Sequence, residues 1–224
     1  MVSLRSSDSI PLTLRAPSLL GRFLAFVLCG FIRLATGVQT VGHSVDPKRL
    51  PCVFYANHSS HGDFLLIWSS LPPDIRACTR PVAAAEYWTR GRLRRYLATK
   101  VFNSVLIDRT PQAHQASPVD LMLMALNAGQ SLILFPEGTR NSHDELLPFK
   151  SGIFRLAEKN PSLVFVPVWI ENINRVLPKG GLLPVPLICS LHFGPAQTYT
   201  PGEDRQSFLT RLRELLQALA PANH

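Results

Sequence analysis

The sequence predicts an α/β fold with a mostly parallel mixed sheet flanked by helices. Six short apolar or β-branched runs recur from Pro51 onward: Cys52–Tyr55, Pro81–Ala85, Val105–Ile107, Leu132–Phe135, Leu163–Trp169 and Leu187–Phe193. Helical patterns lie between several of them, the alternation from which parallel sheets are built. The last segment, from Glu203-Asp204, sets Phe208, Leu209, Leu212, Leu215, Leu216 and Leu219 on one helical face, which needs a sheet to pack on.

At 224 residues the chain is large enough for one substantial core. Its 46% hydrophobic content, 17% charged content and mean hydropathy of +0.11 are those of a protein with unusually little polar surface. The formal charge of +8 and pI near 9.8 favour an anionic partner: nucleic acid, a membrane surface or a phosphorylated small molecule. No nucleic-acid motif is present, so no nucleic-acid partner is expected. Cys29, Cys52, Cys78 and Cys189 are scattered, without C-x-x-C or metal-finger spacing, which points to a reduced cytosolic setting.

Taken in order, residues 1–16 are Ser-rich, lack a pattern and are expected to be poorly ordered. Leu19 to Thr36 is apolar apart from Arg22 and Arg33, with an uninterrupted stretch from Phe23 to Ile32. That stretch is about 15 Å long as a helix, short of the roughly 20 residues a bilayer span needs. Arg22 and Arg33 fall on one side. The pattern suits a helix in the membrane interface, with arginines toward headgroups and Phe23, Leu24, Val27, Leu28 and Ile32 toward acyl chains. A short tilted span and a buried core helix remain compatible with it. A cleaved signal peptide is disfavoured, since no small-x-small site follows cleanly. Residues 1–40 are thus read as a disordered start plus a membrane-associating helix, and 41–224 as the α/β domain. Gly42-His43-Ser44-Val45-Asp46 superficially matches a nucleophile elbow, but Asp46 replaces the final glycine and no apolar strand leads into it, so it reads as a loop.

The first run ends in Tyr55-Ala56-Asn57-His58-Ser59-Ser60-His61-Gly62-Asp63. On an unbroken helix His58 and Asp63 would point about 140° apart. A strand ending in a turn, relaxed by Gly62, brings them together. A carboxylate then fixes the imidazole tautomer and leaves the other nitrogen a better proton acceptor, the wiring of a general base. Asp63 would serve equally as an N-cap ahead of Phe64, and His58, His61 and Asp63 are all possible metal ligands.

Further along, Arg76, Arg80, Arg90, Arg92, Arg94, Arg95 and Lys100, interspersed with Tyr87, Trp88 and Tyr96, form a basic segment relieved by Glu86. It reads either as a solvated helix face or as a surface at headgroup level against anionic lipid. Val105–Arg109 puts Arg109 just past a strand's C-terminal end, where α/β sheets bind ligands. Ser117-Pro118-Val119-Asp120 reads as an N-cap, Pro at N1 and a capping acid, with Gly129 as the stop. Leu132–Arg140 leaves a strand into a turn bearing Glu137, Gly138, Thr139 and Arg140, which can offer N–H groups and a guanidinium to a phosphate or be an ordinary surface turn. Pro148–Gly152 adds Lys150 before a helix.

Together these residues resemble the glycerolipid acyltransferase family. Its first block, Asn-His-x4-Asp, matches Asn57, His58 and Asp63; its second ends in an arginine, Arg109. Its third, Phe-Pro-Glu-Gly-Thr-Arg, is matched in full by Phe135 to Arg140, and its fourth, an apolar run around a proline, by Val166-Pro167-Val168. The four blocks fall in order across residues 51–170. One departure is visible: where the second block carries a glycine, Asn103 and Ser104 stand.

The resemblance implies an acyltransferase that moves a fatty acyl group from an acyl thioester, acyl-CoA or acyl-carrier protein, to the free hydroxyl of a lysophospholipid. The expected acceptor is 1-acylglycerol-3-phosphate, giving phosphatidate. His58 would be the general base and Asp63 its orienter; Arg109, Glu137, Gly138, Thr139 and Arg140 would bind substrate. No metal or resident cofactor is implied, and the expected location is the cytoplasmic face of the inner or plasma membrane. Alternatives are the same chemistry on another acceptor such as lyso-ornithine lipid, a metal-dependent hydrolase using His58, His61 and Asp63, and a non-catalytic membrane-surface protein.

Overall fold

A computed structural model describes residues 18–42, 46–60, 62–108, 116–141, 145–171 and 189–221. The expectations placed on residues 1–16, His61 and Arg109 fall outside them. Seven strands form one sheet: β1 (Gln39–Gly42), β2 (Cys52–Ala56), β3 (Thr79–Ala84), β4 (Val105–Ile107), β5 (Ser131–Leu134), β6 (Val164–Glu171) and β7 (Ser190–Phe193). Their order is β1-β7-β6-β2-β5-β3-β4, and every pair is parallel except β6–β7. The expected mostly parallel mixed sheet is therefore what forms.

β2 shows why its sequence is apolar throughout. It lies between β5 and β6, so both faces are covered. Phe54 and Ala56 point into one core with Ile133, Val168 and Ile170; Val53 and Tyr55 point into the other with Leu132, Leu134 and Phe165. The first core is roofed by α1 (Leu19–Thr36), α2 (Asp63–Ser70) and α3 (Pro73–Ala77); the second by α6 (Pro118–Asn127), α7 (Gly152–Lys159) and α8 (Arg205–Gln217). Two short helices, α4 (Ala85–Trp88) and α5 (Arg92–Tyr96), join β3 to β4, and a π turn, Leu97–Val101, continues α5.

The helix-boundary expectations hold where the chemistry is local. Ser117 caps α6 by accepting from the Asp120 N–H, and Gly129 follows at φ +76°. Asp204 caps α8 through Gln206 and Ser207, and Phe208, Leu212 and Leu216 are its fully buried stripe. β1 went unread because Gln39–Gly42 is short, mixed in polarity and exposed along its length; it is an edge strand that exists by pairing with β7.

α1 is apolar apart from Arg22 and Arg33, and the structure divides it. Cys29 and Ile32 enter the core, with Leu24 and Leu28 packed against it. Leu19, Leu20, Phe23, Phe26, Val27, Phe31 and Leu34 remain exposed, within an arc of about 140°. Of the five residues assigned to acyl chains by sequence, Phe23 and Val27 face outward, whereas Leu24, Leu28 and Ile32 turn to the protein. Arg33 is also corrected: its Nε donates to the Ser69 carbonyl at 3.0 Å, at the C-terminal end of α2, where a cation is favoured.

The Leu212 side chain is sealed against Phe165 and Phe208, whereas Leu215 is only partly covered. Leu212→Ala is expected to cost about 2–5 kcal/mol in urea denaturation, and Leu215→Ala much less. Equal losses would contradict this packing of α8.

Candidate active site

Strands β2, β3, β4 and β5 run parallel, so their C-terminal ends share one edge, the place where open α/β sheets hold ligands. A cleft of about 460 Å³ opens there. Its depth is apolar: Val82, Ile107, Val119, Met122, Leu134 and Ile153. Its polar end carries His58, Thr139, Arg140 and Lys150. Tyr87 and Trp88 of α4 form another wall.

His58 follows directly on β2, and its Nδ1 lies 2.8 Å from Asp63 Oδ2. The same oxygen accepts the N–H groups of Ser59 at 2.7 Å and Ser60 at 2.9 Å. A carboxylate only accepts, so Nδ1 carries the proton and Nε2 keeps a lone pair. The turn closes as expected, but not by glycine freedom: Gly62 has φ −85° and ψ −9°, open to any residue. What closes it is the Asp63 carboxylate gathering the turn's amides. Asp63 is the first residue of α2, is fully buried and makes no side-chain cap to its own helix. Its negative charge sits favourably at the N-terminus of α2.

The backbone of His58 is held as firmly as its ring. Its N–H donates to Glu137 Oε1 at 2.8 Å, and its carbonyl accepts from the Asn141 N–H at 2.6 Å. The imidazole stacks on Phe135, centroids 4.1 Å apart and planes inclined by 17°. One residue earlier, the Asn57 side chain accepts from Ile170 N–H at 2.7 Å and donates to Ile170 O at 3.0 Å, imitating a backbone rung between β2 and β6. The Asn141 amide in turn donates to the Glu145 carbonyl.

This reassigns Glu137. Its second oxygen accepts the Leu147 N–H at 3.0 Å, and the residue is 1% exposed. Both oxygens are taken by backbone N–H groups and the carboxylate is buried, so in this structure Glu137 holds the His58 backbone. Gly138 earns its place conformationally, at φ +71° in the turn that Gly138 N–H closes onto the Phe135 carbonyl, with Lys150 packed against it. Thr139 and Arg140 are exposed on the cleft rim, where Lys150 joins them. Arg109 lies outside the described residues, two positions beyond β4. The departure at the second block also has an account: Asn103 adopts φ +52°, the left-handed conformation that asparagine tolerates nearly as glycine does. Asn141 was missed by sequence reasoning; its only signal is adjacency to the Phe135–Arg140 block.

The arrangement suits proton abstraction more than metal binding. Nδ1 of His58 and Oδ2 of Asp63 are spent on each other, and Asp63 is sealed from the cleft. The third ligand of the hydrolase reading, His61, lies outside the described residues.

Over residues 37–171 the chain matches the Acyltransferase family. It is 34% identical over 135 residues to 1-acyl-sn-glycerol-3-phosphate acyltransferase beta of Homo sapiens, covering 58% of this chain and 46% of that one. It is 28% identical over 155 residues to the 1-acyl-sn-glycerol-3-phosphate acyltransferase of Saccharomyces cerevisiae, covering 67% and 48%. The crystal structure of the 1-acyl-sn-glycerophosphate (LPA) acyltransferase PlsC from Thermotoga maritima shares the fold: TM-score 0.66 and 20% identity, covering 89% of this chain and 79% of that one. The chain spans about half the length of the curated relatives it matches.

Burial pushes the Glu137 carboxyl above the usual carboxylate range, while the Leu147 and His58 N–H groups pull it back. Folding therefore favours its protonated form, and its contribution to stability falls as pH rises from the usual range through the raised value. In Glu137→Gln that slope should vanish from thermal melts in mildly acidic buffer. One backbone N–H would also face an amide NH2, a loss of about 1–3 kcal/mol at neutral pH. An unchanged slope would mean the carboxyl is not held above its ordinary value.

Proposed function

The chain belongs to the acyltransferase family, and from that premise we propose that it transfers a fatty acyl group from an acyl thioester to the free hydroxyl of a lysophospholipid. The observation that carries the reading is the His58–Asp63 pair, 2.8 Å apart, at the polar end of a cleft whose depth is apolar. With Nδ1–H donated to Asp63, Nε2 takes the proton of the acceptor hydroxyl. The alkoxide oxygen attacks the thioester carbonyl and a tetrahedral intermediate forms. Its collapse breaks the C–S bond; the departing thiolate takes the proton back from Nε2–H and leaves as free thiol. An ester has formed, a thioester has been consumed, and no acyl-enzyme intervenes.

The rest of the cleft divides the substrates by polarity. Val82, Met122, Leu134 and Ile153 suit an acyl chain, and Arg140 and Lys150 at the rim suit a phosphate. A cationic rim favours 1-acylglycerol-3-phosphate, giving phosphatidate, over a zwitterionic acceptor such as lyso-ornithine lipid. The donor is acyl-CoA or acyl-carrier protein, and no resident cofactor or metal is needed. The outward apolar face of α1 supports membrane association, with the helix lying in the interface and its inner face docked on the α/β domain. As part of the same reading we place it on the cytoplasmic face, where both donors and free thiols belong; Cys29, Cys52, Cys78 and Cys189 are all unpaired.

His58→Ala should lower turnover by about 10²–10⁴-fold, measured in mixed micelles with lysolipids and both donor classes, products identified by mass. Arg140→Ala should raise the acceptor KM and leave the donor KM nearly unchanged. Full activity in His58→Ala would sink the general-base assignment.

The outward residues of α1 give a separate test of membrane association. Phe23→Ser and Phe31→Ser should each weaken vesicle partitioning by about tenfold or more, with far-UV circular dichroism unchanged. Undiminished partitioning would place the membrane contact elsewhere.

A further inference from the structure

We propose that the basic helix α5 is a second membrane contact, one that binds anionic lipid headgroups and seats the mouth of the cleft against the bilayer. The proposal deepens the lipid-substrate reading and rests on it. Between Ala85 and Val101 the chain carries Arg90, Arg92, Arg94, Arg95 and Lys100 against a single acid, Glu86. All five basic residues are exposed. Among the described residues, Arg90, Arg92, Arg95 and Lys100 enter no ion pair. Unpaired like charges on so short a segment repel one another, and an anionic surface relieves that repulsion.

Charge alone would fit any phosphate. The apolar neighbour decides between them. Leu93, in the middle of the arginines, is 71% exposed, more than any large apolar side chain outside α1 among the described residues. A soluble phosphate ligand gains nothing from an exposed leucine, whereas a bilayer takes it below the headgroups while the arginines stay at them.

Placement gives the same answer. The π turn that continues α5 packs against the start of α1 so closely that a Cβ at Gly21 would lie 2.5 Å from the Lys100 carbonyl oxygen. The π turn, which continues α5, therefore adjoins the end of α1 that exposes Leu19, Leu20 and Phe23. On the other side of α5, the Arg94 guanidinium sits 4.7 Å from the centre of the Tyr87 ring, and Tyr87 lines the cleft. Headgroup binding at α5 is thus one aromatic ring away from the cavity that would receive a lipid substrate.

The test is vesicle sedimentation of the full chain and of Arg92→Gln/Arg95→Gln, on vesicles of phosphatidylcholine alone and of phosphatidylcholine with an equal amount of phosphatidylglycerol. Partitioning to the anionic vesicles should fall by about 30-fold, partitioning to phosphatidylcholine should hold, and the difference should shrink as salt rises. Arg92→Lys/Arg95→Lys, which keeps the charge, should bind anionic vesicles nearly as wild type does, separating charge from misfolding. Unchanged binding by the Gln variant overturns the proposal. So does a raised acyl-CoA KM in detergent with unchanged vesicle binding, which would assign these arginines to the donor's phosphates. Binding is read without turnover, so loss of the acyltransfer reading would leave this result standing on its own.

Discussion

A single histidine is fixed from every side, and the geometry of the site follows from that. The N–H of His58 is taken by Glu137, its carbonyl by Asn141, its Nδ1 by Asp63, and its ring lies on Phe135. A strand end is ordinarily free to fray, since its last amides have no ladder partner. Here Glu137 of the third sequence block and Asn141 just after it supply those partners, and Asn57 extends the β2–β6 ladder by one further rung. The imidazole therefore has little freedom to leave the orientation in which Nδ1 faces Asp63 and Nε2 would serve as the proposed base. Freedom of that sort is what costs rate when a catalytic group is misplaced.

Asp63 couples this constraint to the helical layer. It begins α2, whose other end is capped at the Ser69 carbonyl by Arg33 of α1 and by Arg76. The core side of α2 is closed by Phe64, Leu66, Ile67 and Trp68, with Phe64, Trp68, Trp88 and Phe102 meeting edge to face. One short, rigid helix thus links the acid beside the histidine to α1. In the reading proposed above, the membrane contact and the general base would share this structural member.

The cleft combines two solvents. Its depth resembles the protein interior, while its rim is cationic and wet. An amphiphile is sorted along that gradient by transfer free energy alone: each buried CH₂ of a chain favours the depth by about 0.8 kcal/mol, and a phosphate is held at the rim by charge. The reacting hydroxyl of a lysolipid lies between its chain and its phosphate. On the proposed reading, His58 at the junction of the two regions is placed where that hydroxyl would come.

Much of this was legible in the sequence where the cause is local. The apolar runs gave six strands, Ser117 and Asp204 announced the starts of α6 and α8, and the spacing of Phe208, Leu212 and Leu216 gave the buried face of α8. His58 and Asp63 could be paired because five residues and a turn suffice to bring them together. Tertiary structure alone decided the contacts between distant segments: β1 on β7, Asn57 on Ile170 across 113 positions, Asn141 on His58, and Arg33 on α2 rather than on headgroups. It also decided which half of α1 faces out and that Glu137 is a support. The physical reason is common to all of these. A pattern in sequence records how apolar a position is and which backbone it prefers, but the partner that satisfies a buried carboxylate or an exposed helix face is fixed only when the sheet has brought the two together.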